Sequence, residues 1–315
     1  MRRAFVEALI HAAERDPRVV FLTGDLGYGV FDEFIARFGP RYINVGVAEA
    51  QLVNAAAGLA REGFRPIAYS IASFMTGRPF EQIRFSIAYP GLPVVLVGAG
   101  GGFCYSQSGV SHHAPDDFAL MGLVPGMAVV APGDPGEVRA LLPQLLERSG
   151  PSYLRIGKFG EPSYGAEAPV QLGRARLLRE GGRIAVLTTG EMAPLALDAL
   201  PELARDGIAP AVVQFHTIQP LDTAALHHLA SQVRTFVVVE EAAPEGALFS
   251  GIQAWRQTTG SDVRLIRRGP GKDFVLGNPR REDLRRAAGF DARAIAETCR
   301  AEWNASRPSA PPGSP

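Results

Sequence analysis

The sequence of 315 residues is poor in cysteine and has no excess of charge of either sign. It contains only Cys104 and Cys299, and its 32 Lys and Arg are balanced by 32 Asp and Glu. Two cysteines cannot build a disulfide framework, which favours a reducing compartment, so we expect a cytoplasmic protein. The lack of a basic excess argues against nucleic acid binding and against a polybasic contact with a membrane. No uninterrupted run of about 18 apolar residues occurs, so no membrane span is predicted.

What the sequence does contain is enough apolar residues for a large core, since 46% are hydrophobic. The length suggests two domains. Short apolar, β-branched runs alternate with longer segments of helical period, which is typical of a parallel α/β sheet. Runs such as VVLV (94–97) are apolar on both faces, as strands covered by helices on each side must be. The predicted fold class is therefore α/β, with two three-layer α/β/α domains.

The alternation of patterns also predicts where the elements and the domains lie. Strands are predicted at 19–24, 42–47, 66–71, 93–98, 127–132, 152–157, 183–189, 210–215, 235–240 and 262–267. Helices are predicted at 3–14, 48–61, 77–88, 115–122, 134–148, 192–205, 222–230, 246–258 and 281–299. We predict a first domain at 1–160, a linker at 161–172, a smaller second domain at 173–303 and a disordered, Pro/Ser-rich tail at 304–315.

Two segments that follow predicted strands carry candidate functional side chains. Glu49 falls in the first turn of an alanine-rich helix, after Gly46 lets the chain turn. The helix dipole alone favours a carboxylate there by roughly 0.3–1 kcal/mol, so a purely structural glutamate is the competing interpretation. Phe74 and Phe80 flank a turn at Gly77 that is predicted to start a helix, and taken alone they are better explained as core aromatics.

The third candidate segment is a glycine-rich polar loop, GAGGGFCYSQSGVSHHAPDDFALM (98–121), with the adjacent histidines His112 and His113. Its glycines lack the spacing of a dinucleotide-binding fingerprint. The His-His-x-x-Asp-Asp pattern offers poor tetrahedral geometry, so no metal site is predicted. A structural pair of histidines explains the loop as well as catalysis does. All three segments lie at strand ends, where open α/β sheets bind ligands.

The order of these segments and their amino-acid sequences resemble those of the transketolase family, in particular the C-terminal subunit of split, two-chain transketolases. The matching blocks are NVGVAEAQLVNAAAGLA (44–60), SFMTGRPFEQIRFSIAYP (73–90), SGVSHHAPDDFALMGLVPGMAVVAPGD (108–134), HTIQPLD (216–222) and VVVEEA (237–242). The resemblance reaches to about residue 300. It implies a thiamine-diphosphate pyrimidine-binding domain with a mainly parallel sheet, followed by a smaller transketolase C-terminal-like domain.

The resemblance also implies which side chains face the cofactor. Glu49 would hydrogen-bond the aminopyrimidine ring and so promote loss of the thiazolium C2 proton. Phe74 is the first choice for the ring that stacks on the aminopyrimidine and Phe80 the second, and the register is uncertain enough that Gly77 could occupy the matching position. Asp25, in TGDLGYG (23–29), matches an aspartate near the cofactor.

On the substrate side, the resemblance implies that His112 contacts the donor or shuttles a proton. Arg155 would hold a substrate phosphate in bidentate fashion, with a salt bridge at the strand end as the competing interpretation. Gly100 and Ser108 stand where family members carry a histidine and an aspartate that contact donor hydroxyls. The loop presents Tyr105, Ser106 and Gln107 instead, and Gln107 and Ser108 are the candidates for substrate contact. Losing such partners lowers selectivity for a polyhydroxylated donor, so a specialised biosynthetic reaction fits better than pentose-phosphate metabolism.

The family's GDG motif, which grips the diphosphate through Mg²⁺, does not occur in this sequence; the chain has GDL at 24–26 and GDP at 133–135. The resemblance therefore implies that an N-terminal transketolase subunit supplies the Mg²⁺ and diphosphate site, and that two copies of each chain form a heterotetramer. The expected reaction moves a two-carbon ketol or acyl unit from a keto donor, such as a sugar phosphate or related ketose, to an acceptor carbonyl.

Three alternatives stay open at this point. The chain could be the beta subunit of a 2-oxoacid dehydrogenase or decarboxylase that passes an acyl group to a carrier. It could be a non-catalytic partner subunit, although an interface needs no carboxylate at the position of Glu49. A flavodoxin-like or nucleotide-binding α/β protein would require the order of the blocks to be accidental, and no phosphate-binding glycine pattern supports it.

Overall fold

The computed structural model describes residues 1–158, 160–164 and 169–305. In this part of the chain the strands form two sheets, each covered by helices on both faces. The strands are β1 (Val19–Thr23), β2 (Tyr42–Asn44), β3 (Arg65–Ile71), β4 (Val95–Ala99), β5 (Ala128–Val130), β6 (Ser152–Ile156), β7 (Arg176–Arg179), β8 (Arg183–Thr188), β9 (Ala211–Gln214), β10 (Thr217–Gln219), β11 (Val233–Val239) and β12 (Arg264–Arg268).

The α-helices connect most of these strands. They are α1 (Arg2–Arg15), α2 (Asp32–Phe38), α3 (Glu49–Arg61), α4 (Ala72–Gly77), α5 (Phe80–Gln82, continued by a π-helical turn at Ile83–Ala88), α6 (Asp117–Gly122), α7 (Pro135–Glu147), α8 (Ala193–Arg205), α9 (Thr223–Ala230), α10 (Leu248–Thr259), α11 (Arg281–Ala287) and α12 (Ala292–Ala305).

The first sheet has the order β10-β5-β6-β4-β3-β1-β2 and is parallel apart from β10. Its strands are apolar on both faces because helices α1 and α7 pack on one side while α3 and α6 pack on the other. Burying both faces removes most of the apolar surface of these strands from water, which is the main stabilising term. All its parallel strands therefore end at one edge, where the loops that follow β1 to β4 lie together.

The second sheet has the order β12-β11-β8-β9-β7, with only the edge strand β7 antiparallel in the described part of the chain. Helices α8 and α12 cover one face, and α9 and α10 cover the other. Both sheets thus have the three-layer arrangement that the sequence predicts, and the α/β fold class is confirmed.

The ten predicted strands are all present, with bounds shifted by one to three residues. Helix α7 begins with a side-chain cap, because Asp134 accepts a hydrogen bond from the backbone N–H of Glu137 at 2.8 Å and Pro135 is the first helical residue. The short strands β7 and β10 and the helix α2 were not predicted. Each has too few residues to show a clear period.

Two predicted helices are wrong in their bounds. The helix placed at 77–88 begins earlier, at Ala72, so that Gly77 ends α4 instead of starting a helix. Ala72 and Met75 are fully buried, and packing of this face outweighs the turn signal of glycine and proline. The helix placed at 281–299 is interrupted between α11 and α12, where Gly289 has a φ of 67°.

The proposed domain division stays a prediction. Strand β10 lies within the stretch assigned to the second domain, yet it pairs with β5 of the first sheet. In the predicted linker, residues 165–168 lie outside the described residues, and Leu172 packs on the core of the first sheet. Of the predicted tail, 306–315 lies outside the described residues, and Asn304 and Ala305 belong to helix α12 instead. No helix in the described ranges is long and apolar enough to cross a membrane.

Candidate active site

Glu49 is a buried carboxylate at the edge where the parallel strands end. Gly46 takes a φ of 75°, which glycine adopts without strain, and so turns the chain from β2 towards α3. Glu49 opens α3 and is 4% exposed. Its Oε1 accepts a hydrogen bond of 3.4 Å from the hydroxyl of Ser70, near the end of β3. The dipole of α3 stabilises negative charge at this position.

Arg78 and Phe74 complete the surroundings of this carboxylate. Nη1 of Arg78 donates to Oε2 of Glu49 at 2.9 Å, and its guanidinium lies 3.8 Å from the centroid of the Phe74 ring. Phe74 and Arg78 are four residues apart in sequence, a spacing that places side chains on one helical face. Because the side chain of Arg78 is 47% exposed, water can stabilise its charge when it leaves Glu49. Arg78 thus bridges Glu49 and Phe74 without being locked in place.

His112 contacts the same aromatic ring. The ring centroids of His112 and Phe74 are 5.0 Å apart, with an interplanar angle of 61°. The Nδ1 of His112 lies 3.0 Å from the hydroxyl of Ser111. Burial, together with the positive charges of Lys158 and Arg78, lowers the pKa of His112 below its ordinary value. The imidazole is therefore neutral at pH 7 and can both donate and accept a hydrogen bond.

The loop that carries His112 is held on helix α4. Ser73, next to Phe74, donates a hydrogen bond of 3.1 Å to the carbonyl oxygen of Ser111. His113 points the other way: it is buried, its Nε2 lies 3.3 Å from the carbonyl oxygen of Ser106, and its ring packs edge-on against another aromatic ring. Of the two adjacent histidines, His112 contacts Phe74 and His113 supports the loop.

Asp25 lies beside this group, at the end of β1. Its φ of 59° is a backbone conformation that residues other than glycine rarely adopt, which marks a site of stored strain. The side chain of Asn44 holds Asp25 through two hydrogen bonds. Nδ2 of Asn44 donates to Oδ1 of Asp25 at 2.9 Å, and Oδ1 of Asn44 accepts from the backbone N–H of Asp25 at 3.0 Å. The hydrogen bond from Asn44, with a second from Tyr28, lowers the pKa of Asp25. Asp25 is thus an ionised, oriented carboxylate.

Arg155 does not join this group in the structure. It is buried at the end of β6, where Nη1 lies 3.3 Å from Oδ1 of Asp117 and Nη2 donates to the carbonyl oxygen of Glu241 at 2.9 Å. Its guanidinium also lies 4.4 Å from the centroid of the Phe118 ring. These contacts match the alternative of a salt bridge at a strand end. A substrate-binding role for Arg155 stays a prediction, and this geometry does not favour it.

The hydrogen bonds and the ion pair described for Glu49 do not involve Phe80, Gln107 or Ser108. Phe80 is half-buried and packs on the core cluster beneath α3, as a structural aromatic does. Gln107 and Ser108 are exposed on a short 3₁₀ turn of the loop. They line a cavity of about 350 Å³ whose wall also contains Lys158, Arg280, Arg281 and Glu282. The three cationic side chains outnumber the one carboxylate of the wall, although Arg280 and Arg281 already pair with acidic residues outside it.

The residues that sequence reasoning missed are Arg78, Asn44 and Lys158. A signal for Arg78 was present, because its spacing of four from Phe74 predicts a contact if both lie on a helix. Asn44 ends β2 and Lys158 lies two residues after β6, but single polar residues at strand ends have no distinctive spacing. Among the described residues, no group of three or more His, Cys, Asp or Glu could hold a metal ion.

Comparison with known families matches both parts of the chain. Residues 1–159 match the family described as "Transketolase, pyrimidine binding domain", and residues 173–295 match "Transketolase, C-terminal domain".

Individual relatives are similar over most of the chain. A "6-deoxy-6-sulfo-D-fructose transketolase subunit SqwH" from Clostridium sp. (strain MSTE9) is 37% identical over 79% of this chain and 78% of its own length. A "Putative transketolase C-terminal section" from Methanocaldococcus jannaschii is 31% identical over 94% of both chains. The chain spans about half of a 1-deoxy-D-xylulose-5-phosphate synthase from Aquifex aeolicus, covering 47% of that protein at 32% identity.

A solved structure shows the same fold over the whole length. It is described as "Split gene transketolase, inactive beta4 tetramer" and superposes with a TM-score of 0.89 at 31% identity. The match covers 97% of this chain and 99% of the other.

Proposed function

The chain belongs to the transketolase family, and on this premise we propose that it is the pyrimidine-binding subunit of a two-component, thiamine-diphosphate-dependent transferase. The enzyme would move a two-carbon ketol or acyl unit from a keto donor to an acceptor carbonyl. The observation that carries the proposal is a chain of contacts in which Arg78 joins Glu49 to Phe74 and Phe74 contacts His112, so that a buried carboxylate, an aromatic ring and an imidazole form one group.

The residues of this group fit one half of the cofactor. A buried carboxyl group can share a proton with a pyrimidine ring nitrogen in a hydrogen bond, and an aromatic face can stack on the ring. By contrast, the sequence contains no GDG motif of the kind that grips the diphosphate through Mg²⁺ in the family. When bound, thiamine diphosphate supplies the electron sink for cleavage of the donor. Its diphosphate and Mg²⁺ would be held by an N-terminal transketolase subunit that carries the GDG motif.

The part assigned to each residue on the cofactor side follows from its contacts. Glu49 would hold the pyrimidine ring by a hydrogen bond and take part in proton transfer, which requires Arg78 to release Oε2. The exposure of Arg78 makes this release inexpensive in free energy. Phe74 is the better candidate for stacking, because its ring faces the group at Glu49 while Phe80 packs on the core. Asp25 would fix the adjoining loop.

On the donor side, His112 would hydrogen-bond the donor oxygens in its neutral form. Gln107 and Ser108 would contact the more distant part of the donor, from the cavity that Lys158 also lines. A negatively charged end group on the donor suits this cavity better than it suits the buried Arg155. A phosphorylated ketose and a sulfonated ketose, the substrate type in the printed name of one relative, are both candidates.

Assembly follows from the division of the cofactor site. Two copies of this chain and two of its partner would form a heterotetramer with two active sites, and we expect the partner to be encoded directly upstream. The similarity to a subunit of a split transketolase supports this arrangement.

The proposal is tested by mixing this chain with the GDG-containing protein of the adjacent reading frame, thiamine diphosphate and Mg²⁺. The assay offers a phosphorylated ketose, a sulfonated ketose and pyruvate in separate reactions, each with an aldose acceptor. Ketose consumption with two-carbon transfer supports the proposal, and neither chain should be active alone. Release of CO₂ from pyruvate without ketose cleavage would instead identify a 2-oxoacid decarboxylating subunit.

A further inference from the structure

The loop between β4 and α6 is closed by a short backbone bridge. Gly102 and Ala114 exchange two hydrogen bonds, of 3.0 Å from the N–H of Gly102 and 2.9 Å from the N–H of Ala114. The bridge encloses residues 103–113, whose two short 3₁₀ turns carry Gln107 and His112. The position of His112 therefore depends on what holds this bridge.

The second domain holds the bridge at both ends. The backbone N–H of Phe103 donates to Oε1 of Glu241 at 2.8 Å, and the N–H of Ala243 donates to the carbonyl oxygen of Pro115 at 2.6 Å. Gly102 approaches so closely that a Cβ on it would lie 2.7 Å from Oε1 of Glu241, nearer than real Cβ atoms come. The segment after β11 thus clamps the loop of the first domain.

Two arginines fix the carboxylate of Glu241. Nε of Arg281 donates to Oε1 at 2.9 Å, and Nε of Arg285 donates to Oε2 at 2.7 Å. The side chain of Glu241 is 2% exposed. Burial alone would raise its pKa, but the guanidinium groups of Arg281 and Arg285 lower the pKa of Glu241 to about 2. Arg281 is in turn paired with Glu191 at 2.6 Å, so the charges within this cluster are balanced.

We propose that Glu241 is a positioning residue through which the second domain sets the geometry of donor binding. Its charge-assisted hydrogen bond to the Phe103 amide fixes the loop that presents His112. The inference rests on the proposed function in one respect, that His112 contacts the donor. A glutamine at this position keeps the shape but cannot hold two guanidinium groups and the amide at once, so the loop loses a fixed anchor.

The neighbouring Glu240 offers a matched control. It is also fully buried and also pairs with an arginine, because Nε of Arg267 donates to its Oε1 at 2.6 Å. Its Oε2 accepts from the backbone N–H of Phe249, so both bonds stay within the second domain. Glu240→Gln therefore removes a comparable ion pair without touching the loop.

The test compares Glu241→Gln and Glu240→Gln in the complex with the partner subunit. We expect Glu241→Gln to raise KM for the ketose donor by about 10- to 100-fold, the range for losing a hydrogen bond to a charged group, with cofactor affinity unchanged. Hydrogen exchange of the amides in 100–116 should accelerate. Glu240→Gln should lower the melting temperature about as much as Glu241→Gln does. Its donor KM and the amide exchange of its loop should stay at wild-type values.

Unchanged loop exchange in Glu241→Gln, or an equal rise in donor KM for both variants, would overturn the inference. If Glu241→Gln does not fold, Arg285→Gln can replace it, because it removes one of the two arginines that hold the carboxylate of Glu241. Arg285→Gln should also raise the donor KM and accelerate amide exchange in the loop. The exchange measurement needs no turnover. It therefore tests the clamp even if the wild-type complex transfers nothing from any ketose, a result that would overturn the proposed function instead.

Discussion

Replacing Glu49 with glutamine separates a catalytic role from a structural one, because the structure gives the two roles different magnitudes. The ion pair with Arg78 is half-exposed on the arginine side, and such pairs contribute about 0–1 kcal/mol. The charge at the start of α3 adds roughly 0.3–1 kcal/mol. Glu49→Gln should thus cost about 0.3–2 kcal/mol of folding stability, a shift of at most a few degrees in melting temperature.

The catalytic cost should be larger. Loss of a general acid–base group lowers the rate by roughly 10²–10⁴-fold, and even 10²-fold corresponds to about 2.7 kcal/mol in the activation barrier. The assay is the rate of ketose-dependent transfer by the complex, together with the rate at which the C2 proton of bound thiamine diphosphate exchanges with deuterium, followed by NMR. Both rates should fall at least 10²-fold while the complex stays assembled.

Glu137→Gln is the matched control for this experiment. Glu137 is likewise a buried glutamate in the first turn of a helix and likewise pairs with an arginine, since Nη1 of Arg176 donates to its Oε1 at 2.5 Å. Because both side chains of this pair are almost completely buried, breaking it should cost about 3 kcal/mol or more of stability. We expect Glu137→Gln to lower the melting temperature strongly, while turnover at temperatures below the new melting point stays near normal. A near-normal rate of C2 proton exchange in Glu49→Gln would refute the assignment of Glu49 as the acid–base group. Losses of turnover that simply follow the loss of stability in both Glu49→Gln and Glu137→Gln would refute it too.

Four further variants test the remaining side chains. Phe74→Leu should weaken binding of thiamine diphosphate by the complex about 2- to 13-fold, from the loss of an aromatic stack worth about 0.5–1.5 kcal/mol, whereas Phe80→Leu should lower the melting temperature alone; the opposite pattern in calorimetric titrations would make Phe80 the stacking ring. The lowered pKa of His112 predicts that kcat/KM for the donor falls only below the ordinary pKa of histidine, as the imidazole gains a proton. His112→Asn should remove the fall of kcat/KM at acidic pH. An unchanged pH profile in this variant would exclude His112 as the group whose protonation limits the reaction. Arg155→Met should destabilise the chain because it leaves Asp117 buried without its cation, and a rise in donor KM without loss of stability would restore Arg155 as the phosphate ligand.

The layers of the fold could be predicted from sequence because they depend on periods that extend over many residues. Strands such as β4 and helices such as α7 have apolar patterns and caps that packing then reinforces. The antiparallel pairing of β10 with the first sheet could not be predicted, since three residues carry no period and the partner strand is far away in sequence. The start of α4 at Ala72 was missed for another reason, because tertiary burial outweighs the local turn signal at Gly77.

The candidate site divides in the same way. Glu49, Phe74 and His112 could be brought together from sequence because parallel strands place their following loops at one edge. The full surroundings of Arg155 could not be predicted, because the carbonyl oxygen of Glu241 is placed beside it only by the packing of the second domain on the first. Likewise, the contact of Arg78 with Glu49 depends on where α4 ends.

The measurement that tests the central claim most directly is calorimetric titration of thiamine diphosphate, with Mg²⁺ present, into this chain, into its GDG-containing partner and into the two combined. If the cofactor site is divided between two polypeptides, tight stoichiometric binding appears only in the mixture. Tight binding by this chain by itself would contradict the division.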